Sequence, residues 1–316
     1  MNASIDPVLP ATVPETDSRR ASWYESPART RVSLLLDEES FEEFLGPEQR
    51  EMSPNLRAFD LPEQFDDGMI IGRGSLSRIP VFVAAQEGRF MGGAFGEVHG
   101  AKLTGLLRAA RDLRSVPVII LFDTGGVRLQ EANAGELAIA EIMRAVIEAR
   151  VAGVTVIGLI GGRAGCYGGG GLIAGCCSAL AVSEQGRISV SGPEVIETNR
   201  GVEEFDSKDR ALVWRTMGGK HRRLIGGADV FVDDTIADFR DTALGLLADA
   251  RPFSLQTLKN EQTRLESRVQ QFGECPDAID IWRSMGIADA DTVPEMTYDQ
   301  FTAVVGKIGS TDHAAR

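Results

Sequence analysis

The stretch VTVIGLIGGRAGCYGGGGLIAGCCSAL, residues 154–180, decides how this sequence folds. Seven of the eleven residues from Gly161 to Gly171 are glycine. Glycine loses more backbone freedom on folding than any other residue, so such a run needs a reason. The apolar run before it, VTVIGLI, suits a strand buried on both faces. The apolar run after it, from Leu172 to Cys177, starts a helix, and Ser178–Ser183 reads as the next strand.

Upstream lies the same pattern. VPVIILF (116–122) is a continuous apolar run, DTGGVRLQE (123–131) is a turn, and Glu131–Arg150 has helical periodicity. Before that, Leu103, Leu106, Leu107, Ala110 and Leu113 recur at helical spacing between Gly100 and Arg114, with Arg108 and Arg111 off the stripe. Strand, glycine turn and helix, repeated, predict an α/β fold with largely parallel pairing. The segment 68–96 alternates short β-rich runs with glycines, as antiparallel strands do. Arg187–Val190 reads as a strand, Pro193 suits the first turn of a helix, and Glu203–Met217 reads as another helix. Residues 1–22 read as a disordered tail. Residues 23–67 read as two short helical segments, the second in DEESFEEFLG, followed by a linking loop. Residues 68–250 then read as the main α/β domain, and 251–316 as a helical, acidic C-terminal extension.

The 316 residues are 43% apolar and carry a net charge of −13. This balance argues against nucleic acid or an anionic membrane as the main partner. The four cysteines form no C-x-x-C pair and there are three histidines, so no metal site is expected. Free thiols and the lack of an apolar signal core predict a cytoplasmic protein. No run of 18 uncharged apolar residues predicts a membrane span.

Four chemistries compete for the glycine turns. A phosphate loop needs G-x-x-x-x-G-K-[ST], and no lysine lies between Lys102 and Lys208. G-x-G-x-x-G is absent from both turns, and no serine sits in a G-x-S-x-G elbow. An oxyanion hole made of backbone remains. Without Cβ atoms a ligand carbonyl approaches the main chain closely, and N–H groups at a helix start face it. The plainer alternative is that the glycines only let helices pack on strands.

Further stretches carry a resemblance. They are FGEVHGAK (95–102), DTGGVRLQE, Gly161–Gly171, SGPEVIE (191–197), GVEEFDSKDRALVWRTMGGKH (201–221) and GGADVFVDD (226–234). From Trp23 to about Asp234 the chain resembles the β subunits of biotin-independent malonate decarboxylases. More broadly it resembles the acyl-CoA carboxyltransferase branch of the crotonase-like superfamily. The resemblance implies a spiral of repeated ββα units with flanking helices. It implies decarboxylation of a malonyl group held as a thioester on the coenzyme A-like arm of an acyl carrier protein. It implies no tightly bound cofactor, no biotin, and a homologous γ subunit as partner. It places catalytic amides at Gly125, Gly126 and Val127, and at Gly165, Cys166 and Tyr167, in the segment Ala164–Tyr167 where relatives keep Ala-Gly-Gly-Ala. His99, Lys102, Arg108, Gly168 and Gly169 become candidates for holding the arm or coenzyme A. The bland readings are a structural histidine at a helix start and a solvated helix face. Tyr167 either protonates the enolate carbon or closes the pocket, Arg128 pins its turn, and Lys220–Arg223 is a basic cluster for a carboxylate or a partner. The rivals are a biotin-dependent carboxyltransferase subunit, whose bacterial examples often carry a zinc ribbon lacking here, a non-catalytic carrier-docking scaffold, and a hydratase.

Overall fold

The computed structural model describes residues 19–51, 53–57, 68–249 and 253–312. The chain begins with α1 (Ala28–Leu35), β1 (Glu42–Glu43) and the hairpin β2 (Met69–Leu76) and β3 (Ile79–Gln86). There follow α2 (Glu97–Leu113), β4 (Val118–Phe122), α3 (Asn133–Val151), β5 (Val156–Ile160), β6 (Cys166–Tyr167) and α4 (Gly169–Cys176). Next come β7 (Ala179–Ser183), β8 (Ile188–Ser189), α5 (Pro193–Arg200), α6 (Arg210–Met217), α7 (Gly219–Leu224), β9 (Val230–Val232) and α8 (Ile236–Ala248). Helices α9 (Leu255–Phe272), α10 (Ala278–Ser284) and α11 (Tyr298–Asp312) close the chain.

The main sheet has the order β1-β2-β3-β4-β5-β7-β9, antiparallel across the first two pairings and parallel beyond β3. β4 and β5 are buried at every position, which is why their sequences lack alternation. After β5 and β7 the chain adds a short strand outside the main sheet before its helix. These two, β6 and β8, pair with each other. After β4 the same place is taken by a parallel bridge between Val127 and Phe95. This is the ββα repeat of a crotonase-like spiral.

Helices cover both faces. One core joins Phe122, Ile142 and Ile173 to Trp282 and Phe301 of the C-terminal helices. The other joins Ile119 and Leu159 to α1, Trp23 and α8, where Trp23 stacks on Phe239 at 4.0 Å between centroids. The C-terminal helices α10 and α11 are therefore part of the core, with Trp282 and Phe301 1% and 0% exposed, rather than an appended extension.

Two local expectations fail. Residues 37–46 do not form a helix despite their acidic start. Asp37 instead accepts from Ser75 Oγ, Ser77 N–H and Arg78 N–H at 2.6–2.9 Å, and Glu42–Glu43 pair with β2. These long-range bonds outweigh local propensity. The helix expected over 203–217 spans only Arg210–Met217, started by Asp209, whose carboxylate accepts from Leu212 N–H at 3.0 Å. Most of the expected tail, and residues 58–67 of the loop, lie outside the described residues. Residues 19–22 are tied down: Ser22 Oγ donates to Asp234 at 2.5 Å.

Candidate functional site

Each glycine turn continues a fully buried strand. Residues 123–128 leave β4, and residues 161–168 leave β5 and enter α4. The turns are stitched together. Thr124 N–H donates to Gly165 O at 2.8 Å, and Tyr167 N–H donates to Thr124 O at 3.0 Å. Gly126 (φ +120°) and Gly168 (φ +56°) meet directly. A Cβ on Gly168 would lie 3.3 Å from Gly126 Cα, and one on Gly126 would lie 3.4 Å from Tyr167 O. Glycine is favoured at both by the positive φ, and at Gly168 by the close approach as well.

This stitching consumes most of the amides singled out from the sequence. Gly125 N–H donates to Gly92 O at 2.8 Å, Gly126 N–H to Thr124 Oγ1 at 3.1 Å, Gly165 N–H to Gly162 O at 3.3 Å and Cys166 N–H to Arg187 O at 2.7 Å. The reason is strand pairing: Cys166 and Tyr167 sit between the first turn and β8. Val127 differs. Phe95 bonds the residues on either side of it, at Gly126 O and Arg128 N–H, both at 2.8 Å, so the Val127 peptide faces away from Phe95. Among the described residues its N–H meets no acceptor, and neither do those of Gly169 and Gly170 at the start of α4, whereas the parallel pairing of Tyr167 with Ser189 turns the Gly168 N–H toward Ser189 O. Gly125 is exposed, and Val127 and Gly168 are half-buried.

Charged residues hold these turns, and of them the sequence singled out Arg128 but not Arg31, Asp123 or Glu131. Asp123 is 3% exposed and pairs with Arg31 at 2.8 Å. Its other oxygen accepts Ala164 N–H of the second turn at 2.7 Å. Arg128 and Glu131 form a second buried pair at 2.9 Å. Arg128 also donates to Ala94 O at 3.0 Å, and Glu131 accepts Glu97 N–H at the start of α2. Arg128 thus pins its turn. One signal was available for Asp123: a carboxylate directly after a fully apolar strand needs a buried partner.

The remaining candidates separate. His99 is fully buried, edge-on to Phe95 at 5.1 Å between centroids. Burial, then the charges of Arg128 and Lys102, hold its pKa well below the usual value, so it is neutral at pH 7. Lys102 is 7% exposed and its Nζ donates to Met69 O beneath the sheet. Arg108 pairs with Glu141 of α3 at 2.6 Å. The Cys166 thiol is buried and burial pushes its pKa well up, so it is no thiolate nucleophile. Tyr167 turns its ring toward Phe205, Val213 and Met217, with Arg187 at 5.9 Å from the ring centre. Burial raises its pKa, so it stays protonated. Among the described residues no three His, Cys, Asp or Glu side chains gather as a metal site, and no helix is long and apolar enough to cross a membrane.

The basic cluster is divided. Lys220 points inward to Glu184 at 3.0 Å and to the carbonyls of Pro294 and Met296. His221 Nδ1 accepts Trp282 Nε1–H at 3.2 Å. Both anchor the C-terminal part. Burial, helped by Arg222 and Arg268, lowers the His221 pKa to about 3. Below pH 6.5 the unfolded chain binds a proton that the folded chain refuses. This contribution is therefore intact above pH 6.5 and is lost as the pH falls toward 3. Between pH 7 and 5 the wild type should lose about 2 kcal/mol that His221→Phe retains. Parallel melting curves at the two pH values check this; equal losses in both proteins would contradict it.

Residues 25–220 match the carboxyl transferase domain family. The chain belongs to this family. It is 38% identical over 310 residues to the malonyl-S-ACP:biotin-protein carboxyltransferase of Malonomonas rubra, covering 91% of this chain and 96% of that one. Among solved structures, the carboxyl transferase fold is shared with a chain of the Pseudomonas malonate decarboxylase hetero-tetramer in complex with malonate. That match has 39% identity and a TM-score of 0.76 and covers 84% of this chain and 97% of the other. A chain of the Pseudomonas malonate decarboxylase hetero-dimer matches at 36% identity and TM-score 0.62, over 78% and 96% of the two chains. The transcarboxylase 12S core, at 23% identity and TM-score 0.61 over 74% and 41%, shares the fold.

Proposed function

We propose that this chain is a subunit of a malonyl-thioester decarboxylase acting on a carrier-protein-bound malonyl group without biotin. The carrying observation is the contact of Gly126 with Gly168, which brings the unbonded amides of Val127 and of the α4 start into one neighbourhood. The C2–carboxylate bond breaks and its electron pair moves into the thioester enolate. CO₂ leaves, and C2 takes a proton to give the acetyl thioester. The enolate oxygen carries the charge, and donors fixed beforehand stabilise it more than the neutral thioester oxygen. In this reading Val127 N–H and Gly169 N–H are the donors, and the start of α4 adds its positive dipole end. Tyr167 is a wall residue, because its ring is packed among Phe205, Val213 and Met217. The carrier's arm lies along the accessible edge of Gly125, Val127 and Gly168.

Exposed apolar side chains flank both turns: Leu129, Leu137, Leu172, Val190 and Val195 are 42–81% exposed. Such a rim fits a partner subunit that completes the site, as does the likeness to chains from hetero-oligomeric decarboxylases. The free cysteines fit a reducing cytoplasm.

The Malonomonas rubra relative supports a second reading, in which the carboxyl group passes to a biotin-carrying protein. One assay separates the two. The chain is mixed with its partner subunit and malonyl-carrier protein, and CO₂ is followed with and without a biotinyl acceptor. Release without acceptor supports decarboxylation. Carboxylated biotin, with no release in its absence, supports transfer. Binding without turnover in either arm leaves a docking subunit.

A further inference from the structure

Helix α9 has no buried residue along its 18 positions. Yet it carries an apolar stripe. Leu255, Leu258, Leu265 and Val269 are 69%, 48%, 40% and 71% exposed, and Phe272 is half-buried. With Gln262 they follow the 3-4-3-4-3 spacing of a coiled-coil seam, a and d of successive heptads. A five-turn helix of this kind is about 27 Å long. Among the described residues nothing buries the stripe from Leu255 to Val269; the face turned to the body holds Thr257, Arg264 and Arg268.

The charges beside the seam say what covers it. The e positions are Lys259 and Glu266, and the g positions include Glu261 and Arg268. In an antiparallel pair of two such helices, e faces e and g faces g. Centred between Thr263 and Arg264, that pairing layers Leu255 on Phe272, Leu258 on Val269 and Gln262 on Leu265. It sets Lys259 opposite Glu266, twice by symmetry. A parallel in-register pair would instead oppose Glu261 with Glu266, a repulsion repeated twice. Inside one chain, Glu261 is bonded to Arg264 at 2.7 Å and Glu266 to Gln262 at 2.8 Å. Arg268 turns to the body, where its charge reaches His221 and Arg222.

We propose that α9 pairs with α9 of a second copy of this chain, antiparallel and two-fold symmetric. The helix is self-complementary in both its apolar layers and its charges, as an isologous interface requires. One helix per protomer is a small interface, below about 1,200 Å² in total, so a dimer with a micromolar constant is expected.

Sedimentation equilibrium of the full chain between about 1 and 100 μM tests this. The wild type should be a reversible dimer. Lys259→Glu should weaken it about tenfold, as should Glu266→Lys, since each sets two like-charge pairs. The double variant Lys259→Glu/Glu266→Lys should restore it, because swapping both charges rebuilds the e–e pairs. Leu258→Asp should be monomeric. Leu258, Lys259 and Glu266 are all exposed, and circular dichroism confirms that each variant folds. A monomeric wild type at the highest concentration, a dimer insensitive to Lys259→Glu, or failure of the double variant to recover would each overturn the proposal. So would variants that still dimerise but lose binding to a partner subunit of different sequence, which would assign the stripe to that partner.

Discussion

Val127→Pro is expected to slow CO₂ release from a malonyl thioester by about 10²–10³, with the protein still folded. The Val127 N–H bonds no acceptor among the described residues, so proline removes a donor without breaking an internal bond. Its neighbours keep theirs: Phe95 still bonds Gly126 O and Arg128 N–H. Proline restricts the residue before it, and here that residue is glycine, the most permissive one. Val127→Ala, which keeps the N–H, should lose far less. Gly126→Pro is the poorer test, although the sequence suggests it. Gly126 has φ +120°, which proline cannot adopt, so that variant reports on the turn rather than on the donor. Steady-state rates with melting temperatures alongside decide the matter. Val127→Pro with wild-type turnover would remove Val127 from the donor set.

The second large effect concerns Asp123→Asn. Arg31 and Asp123 are both nearly inaccessible, and their pair closes at 2.8 Å. Removing the negative partner strands a guanidinium in the core, which costs about 3–5 kcal/mol. For a chain of this size that lowers Tm by roughly 10 °C. Activity should fall as well, because the same carboxylate holds Ala164 N–H and so fixes the second turn against the first. Adding Arg31→Met to Asp123→Asn should recover part of the loss, since both charges are then gone. Calorimetry of the three variants measures this. A double variant less stable than Asp123→Asn alone would refute the ion-pair account.

The pattern of strand, glycine turn and helix was readable because β4 and β5 are buried on both faces and leave unbroken apolar runs. The glycine register was readable for the same reason: two turns of one type at two strand ends invite backbone chemistry. Which amides stay free was not readable. Cys166 and Tyr167 lose theirs to Arg187 O and Thr124 O, carbonyls 21 and 43 positions away along the chain. The Arg31–Asp123 pair spans 92 positions, so the carboxylate after β4 signals a buried partner but nothing local names Arg31. Lys102 looked available on a helix face, yet its Nζ turns under the sheet to Met69 O, a contact made only when the hairpin packs on α2. The acidic stretch at 37–46 failed for a related reason, since the bonds of Asp37 to β2 and its turn exist only in the folded chain.

Proton exchange observes most directly an enolate held by backbone amides. The chain with its partner subunit is incubated in D₂O with the acetyl thioester, and deuterium at the acetyl carbon is followed by mass spectrometry. The wild type is predicted to exchange these protons faster than solvent alone, and Val127→Pro to lose that exchange along with CO₂ release. Exchange retained in full by Val127→Pro while CO₂ release is lost would contradict the assignment of that amide to the enolate oxygen.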